Sequence, residues 1–599
     1  WVRLVEGEGS GIFVADQDCR QNDLPTPTVC QENGFVTVTL WRRSRRAHRA
    51  TPEMLPPPQV WFSGRSHELA TLDAIVKEAS KRNIPPVAIV TGVGGVGKTA
   101  LALRWAHKIK EQFPDGQLYV SLGGFGEAGP TPPLNALRIL LTGLGVPNSD
   151  MPADLESATV LYRRLVSGRR MLVILDDAAD ADQVRHLLPE SVSAATVVTS
   201  RNSLDSLLVL GHGRLLPLET LSAEDAEAMF VERLDVVVSD DERPAVREIV
   251  EHCGGLPLAL AIAAGVANAR PTQPLRQLAS EMSDPRHRLL MLDLGDSVGS
   301  IRRVFSRSFE TLRPSAQLLL RVLGLLPYPS IDIYGSASLV GVPLSEVRLV
   351  VRDLLRAHLL TDAGGERLEW HSLLHAYVRE LAKRLDGAER TNATKRLLEY
   401  YLRTAAAADA FLDSNWESVR RQETVPYVVE RPLESYSDAM EWFVAELKNL
   451  LAAIELAMRH GFEEYAYRLY WSMTTFLYRH GDWPEWAEKG LVAVKAAERL
   501  GHQVACARSH RILATAYTRL SQYEKASYHY TRARDIFIEL GDRVGEAHTE
   551  LVLGRHFGWL DEPQEALRHA KRALLLYRQI GDRGWEARAM NDEIGRAHV

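Results

Sequence analysis

Four short apolar runs organise the first third of the chain. Residues 87–91 and 171–175 are dominated by Val, Ile, Leu and other apolar residues, residues 117–122 and 195–199 mix apolar with polar positions, and longer helical patterns such as Ala100–Lys108 separate the four. All four predict strands, and the first two, short and nearly all apolar, predict buried ones. Their alternation with helices predicts a parallel α/β sheet with ligand chemistry at its carboxyl edge. Beyond it the pattern turns helical. Gly254–Ala269 is the longest apolar stretch, but it is rich in Ala and Gly, contains Pro257 and stops at Arg270. It falls short of the ~20 residues that a membrane helix requires, so it predicts a buried helix.

Residues 315–385 predict a winged helix, with helices at 316–325, 333–340 and 345–358, a turn at Gly341-Val-Pro343, and a hairpin around Ala363-Gly-Gly365. Arg348, Arg352 and Arg356 form an i, i+4, i+8 stripe on the third helix, although Glu346 and Asp353 interrupt it. Residues 439–451 follow as an amphipathic helix. The last third repeats: Gly461, Gly501, Gly541 and Gly581 stand 40 residues apart, and Leu500-Gly-His-Gln-Val, Leu540-Gly-Asp-Arg-Val and Ile580-Gly-Asp-Arg-Gly share a phrase. Two helical segments fill each period, as in 504–520 and 523–540, which predicts an α-solenoid with a concave surface. Tyr517, Tyr523, Tyr528 and Tyr530 read mainly as packing residues, with some left over for a partner groove.

Composition narrows the function classes. The 599 residues exceed what one core supports. A net charge of −6 gives the whole molecule no drive toward nucleic acid or anionic membrane. Four cysteines without a CxxC pair exclude a disulfide framework and a structural zinc ribbon, and fit a cytoplasmic protein. Residues 1–50 offer only a weak strand at 35–40. The arginine-rich stretch 41–49 reads as a solvated linker, and Pro52–Pro58 as a stiff spacer. Trp1 at the start and the adapter-like 593–599 at the end read as marks of a cut or misassembled sequence.

The strongest chemistry is Gly92-Val-Gly-Gly-Val-Gly-Lys98-Thr99, placed between an apolar strand and a helix. Glycines allow backbone N–H groups to close around a phosphate, and the helix start adds partial positive charge. Gly92, Gly94, Gly95, Val96, Gly97 and Ala100 form this cradle. Lys98 supplies charge to the β- and γ-phosphates, and Thr99 a hydroxyl to Mg2+. The strand ending at Leu175 delivers Asp176 to the metal shell and Asp177 to the attacking water. Arg201, after the strand at 195–199, stands where a γ-phosphate is sensed.

These motifs, in this order, resemble the NB-ARC class of signal-transduction ATPases, specifically the bacterial regulators that couple such a module to tetratricopeptide repeats. Phe62-Ser-Gly-Arg65, the phosphate loop, Asp176-Asp177, Thr199-Ser-Arg201, Gly255-Leu-Pro-Leu-Ala-Leu260 and Trp370-His371 carry the resemblance across residues 58–592. It implies that Phe62, Arg65 and Pro257 hold adenine, and that His371 contacts the β-phosphate of ADP to lock a closed state. Ser372 stands where such proteins usually have Asp, and Ser121-Leu-Gly-Gly124 also departs from the pattern.

The expected organisation is a P-loop domain at 58–215, a helical subdomain at 216–300, a winged helix at 301–390, a helical spacer at 391–460 and repeats at 461–592. Residues 1–57 remain unassigned. The expected activity is an ADP/ATP switch with slow hydrolysis at most, regulating transcription or signalling. A protein or small-molecule signal acts on the repeats, self-association depends on nucleotide, and DNA is engaged only through a domain outside this chain. The alternatives are a defence or stress sensor with an effector outside this chain, and a non-switching, nucleotide-stabilised scaffold.

Overall fold

In a computed structural model, residues 28–32, 35–39, 51–58, 61–126, 129–209, 211, 213–293, 300–413 and 425–597 are described. The arginine-rich stretch, Trp1 and residues 598–599 lie outside them. Near the start, β1 (Thr28–Glu32) pairs antiparallel with β2 (Phe35–Thr39), so the expected lone strand is half of a hairpin.

The α/β module holds β3 (Val87–Thr91), β4 (Gln117–Ser121), β5 (Leu172–Ala178), β6 (Ala195–Ser200) and β7 (Arg214–Pro217). They form one parallel sheet in the order β4-β5-β6-β3-β7. In the central strands β3, β5 and β6 side chains alternate between two buried faces, whereas the edge strand β4 buries only Leu118 and Val120. Val87, Ile89, Val173 and Leu175 enter one core, whereas Ala88, Val90, Leu172 and Ile174 enter the other. This is why residues 87–91 and 171–175 read as nearly all apolar. The order places β6 between the phosphate-loop strand and the carboxylate strand, which centres Arg201 at the carboxyl edge. The register of β5 against β6 shifts between Leu175 and Ala178, and Asp177 sits at φ 55°, so a bulge re-aims the acidic pair.

Helices Ala223–Glu232, Arg243–Cys253, Pro257–Asn268 and Leu275–Ser283 follow the sheet. The 254–269 stretch is helical from Pro257, which occupies its first turn as proline does well. Next come helices Ile301–Glu310, Pro314–Leu323, Ile333–Val340 and Leu344–Arg356, then Ser372–Ala382. A small sheet in the order β8 (Ser330–Asp332), β10 (Arg367–Glu369), β9 (Thr361–Gly364) completes the winged-helix pattern. On its third helix, Arg348 bonds Glu366 at 2.6 Å and Arg356 bonds Asp205 at 2.8 Å. Two arginines of the expected stripe are therefore engaged within the molecule.

The long helices Gly387–Leu412 and Tyr436–Arg459 lead into the solenoid, whose clearest members are Trp483–Arg499, Gln503–Arg519, Tyr523–Leu540, Arg543–Trp559, Pro563–Ile580 and Arg583–Ala597. Gly461, Gly501, Gly541 and Gly581 adopt φ of 73°, 63°, 67° and 83°, the left-handed conformation that ends a helix without a Cβ penalty. One apolar core runs unbroken from the α/β module through the winged helix into the repeats. No helix among the described residues is long and apolar enough to cross a membrane.

Candidate nucleotide site

The phosphate loop leaves β3 at Gly92 (φ 147°) and passes Gly95 (φ 84°) and Gly97 (φ 97°) before the helix Lys98–Ile109 begins. L side chains rarely adopt these angles, and the first-turn N–H groups of the helix face the loop. A cleft of about 580 Å³ opens beside it. Phe62, Arg65, Gly94–Ala100, Asp177, Arg201 and Pro257 line this cleft, so one space gathers most of the residues singled out by sequence.

The polar geometry is closely determined. Lys98 is buried, and its Nζ donates to the carbonyls of Gly92 at 2.8 Å and Val93 at 2.9 Å. Burial, reinforced by the Arg201 charge and opposed by Asp177 and Asp176, pushes its pKa down to about 7. Asp176 accepts hydroxyl hydrogen bonds from Thr99 at 2.7 Å, Thr199 at 2.6 Å and Tyr119 at 3.1 Å. The Thr199 hydroxyl in turn accepts from the Asp177 N–H at 2.9 Å. Thr99 and Asp176 thus present a hydroxyl and a carboxylate side by side, the all-oxygen pair that suits Mg2+ at a phosphate loop. Arg201 is largely buried. It lies 3.9 Å from Asp177, over the Phe125 ring at 4.9 Å, and donates to Val304 O at 2.9 Å and Ser308 Oγ at 3.1 Å.

Arg65 is held at φ 65°. It donates to Glu68 at 2.7 Å and to the Glu219 carbonyl at 2.6 Å, so it braces the cleft wall as well as lining it. Leu258 N–H donates to Gly95 O at 3.2 Å, which ties the Pro257 helix to the phosphate loop.

His371 stands outside the lining. Its Nδ1 accepts from the Leu373 N–H at 3.1 Å, so its Nε2 carries the proton and donates to Gly254 O at 2.9 Å. Burial lowers its pKa, keeping the ring neutral. A Cβ on Gly254 would lie 2.5 Å from that Nε2, so the ring packs where only glycine leaves room.

Several lining residues were invisible to motif reading. Trp61, Met229 and Leu221 extend the apolar wall, and Arg233 adds a cation whose Nε is buried without a hydrogen-bond partner. Tyr119, in the middle of the edge strand β4, acts from outside the lining through its bond to Asp176. His358, at φ 52° just past the third winged-helix helix, is close enough to feel the Lys98 charge. Burial and that charge push its pKa down to about 4.

No protein-family model matches the chain. The regulatory protein AfsR of Streptomyces coelicolor is 36% identical over 412 residues, covering 67% of this chain and 41% of that protein. AfsR of Streptomyces griseus is 31% identical over 487 residues, covering 81% of this chain and 49% of its own length. The chain therefore spans less than half the length of these relatives. A signal-transduction ATPase with a tetratricopeptide repeat sensor from Pyrococcus horikoshii aligns over 90% of this chain and 87% of its own, at 16% identity and a TM-score of 0.23. That score is too low to support a structural inference.

Proposed function

Because this chain belongs to the NB-ARC class of signal-transduction ATPases with tetratricopeptide-like repeats, we propose that it is a cytoplasmic switch regulating transcription or signalling, closed by ADP and opened by ATP. The proposed modules are a P-loop domain at 58–215, a helical subdomain at 216–300, a winged helix at 301–390, a spacer at 391–460 and repeats at 461–592.

One observation carries the reading: the helix Ile301–Glu310 rests directly on the phosphate loop. A Cβ on Gly94 would overlap the Val304 side chain, and the same Val304 contributes the carbonyl that holds Arg201. A γ-phosphate placed at this loop competes for Arg201 and for the space under Val304. ADP makes neither demand. Nucleotides thus differ in affinity for the closed arrangement, and a switch needs that difference.

In this reading the glycine amides and Lys98 hold the phosphates, while Phe62, Trp61, Met229 and Pro257 enclose the adenine. Thr99 and Asp176 would hold Mg2+, which would neutralise charge on the phosphates when bound. Asp177 orients water for a slow hydrolysis that resets the switch. His371 bonds Gly254 O and joins the winged helix to the helical wall; in the closed state it exchanges that bond for the β-phosphate of ADP. The repeats receive a protein or small-molecule signal, and the open form self-associates. DNA enters only through a domain outside this chain.

The test is nucleotide content and turnover of the purified chain. Bound ADP in the wild type and its loss in Lys98→Ala support the reading. Equal retention by both removes the phosphate site. Identical hydrodynamic size in ADP and in a non-hydrolysable ATP analogue contradicts switching.

A further inference from the structure

The solenoid lines a second cavity, of about 600 Å³, that no phosphate motif reaches. Its wall is built by equivalent repeat positions. Arg479, Arg519 and Trp559 stand 40 residues apart, as do Thr475, Thr515 and Arg555, and all six line it. Successive first helices of the repeats therefore stack these side chains along one concave face. Among the described lining residues five arginines (479, 511, 519, 555 and 588) accompany a single carboxylate, Asp413. Burial lowers the pKa of the lining His556, which leaves it neutral.

The remaining wall is aromatic and aliphatic, including Trp486, Trp559, Trp585 and Ile512. Arg519 lies over the Tyr478 ring at 4.5 Å and the Trp559 ring at 4.8 Å, which fixes its guanidinium plane. Arg588 bonds Asp413 at 3.1 Å, joining the final helix to the end of helix Gly387–Leu412. A volume of this size suits a small molecule.

We infer that this cavity binds a small anionic ligand with a flat apolar body, such as an aromatic carboxylate, in which the arginines take the charge and the indole rings take the plane. The inference rests on the proposed switch only for its consequence. A ligand anion that draws Arg588 from Asp413 releases the end of helix Gly387–Leu412. Farther back on the same helix, Arg396 bonds the carbonyls of Ser338 at 3.0 Å and Leu339 at 2.9 Å in the winged helix. One continuous helix of 26 residues therefore joins cavity and switch.

The test uses the full chain with ADP and three probes in equilibrium dialysis: 2-naphthoate, the neutral 2-naphthylmethanol and the cationic 2-naphthylmethylammonium. The expected result is one naphthoate per chain, bound at least about tenfold more tightly than the alcohol, with no binding of the cation. Arg519→Gln and Arg555→Gln each weaken naphthoate about tenfold and leave the alcohol unchanged, with far-UV dichroism confirming the fold. Equal binding of acid and alcohol, absence of naphthoate binding, or naphthoate affinity indifferent to both substitutions overturns the site. So does arginine-dependent binding of an acidic hexapeptide in place of naphthoate, which reassigns the cavity to a protein partner. ADP release is then timed with and without naphthoate. Faster release supports the coupling. Binding with unchanged release keeps the cavity and overturns its link to the switch.

Discussion

The phosphate cleft and the repeat cavity have nearly the same volume, but they are specified in opposite ways. In the cleft each residue has one place. Gly94 must lack a Cβ beneath Val304, Lys98 must reach back to two loop carbonyls, and Asp176 must receive three hydroxyls. In the solenoid a period is specified, and the cavity emerges from stacking. Contact by contact, the first tolerates almost no change of identity, whereas the fold of the second asks only for residues that keep the turns and the packing, and leaves the identity of lining residues such as Arg519 and Arg555 to the ligand. The contrast teaches that sequence motifs reveal sites whose chemistry is local along the chain and hide sites whose walls are assembled from distant repeats.

Lys98→Ala separates the two regions most strongly. It removes the loop's charge, so ADP affinity should fall by about 100-fold, in line with the ~1.5–3 kcal/mol of a charge-assisted contact; calorimetric titration checks this, while repeat stability should not change. Gly94→Ala forces the helix Ile301–Glu310 off the loop at an overpacking cost of about 1–3 kcal/mol. ADP release, followed by a fluorescent analogue, should accelerate roughly tenfold. In the repeats, Gly545→Ala drives a methyl into the Phe537 ring and should lower stability by about 1–3 kcal/mol without altering ADP affinity. Gly541→Ala meets open space and costs only its left-handed backbone, about 1–2 kcal/mol. Thermal melts rank the pair.

A subtler difference concerns protons. Burial and the Arg201 charge push the Lys98 pKa down to about 7 from the ordinary 10.5, so the folded form binds fewer protons than the unfolded form between those values. Its contribution to stability therefore rises with pH from about 7 to 10.5. A bound phosphate restores the charged form. ADP binding should then take up close to one proton at pH 8 and almost none at pH 6, measured as the buffer dependence of the binding heat.

The parallel sheet and its edge chemistry were legible because two-sided burial writes continuous apolar runs and because Gly92–Thr99 allows few other conformations. The position of β6 between the loop strand and the carboxylate strand was not, since strand order follows from helix packing across the sheet. Arg233 escaped because it reaches the cleft from the end of a helix that carries no motif, and Trp61 because an apolar ring beside the Phe62 motif has no signature of its own. The repeats were legible at one turn only. Gly461, Gly501, Gly541 and Gly581 announced themselves, whereas the alternate turns at Gly481, Ser521 and Asp561 share φ of 97°, 58° and 60° without sharing a residue type. The backbone repeats there while the sequence does not.

Hydrogen exchange of the backbone amides of Ile301–Glu310 tests most directly whether nucleotide governs this lid. Strong protection in ADP and a marked loss of it in a non-hydrolysable ATP analogue, with the sheet strands equally protected in both, is the predicted result. Equal protection of the helix in the two nucleotides would contradict the account.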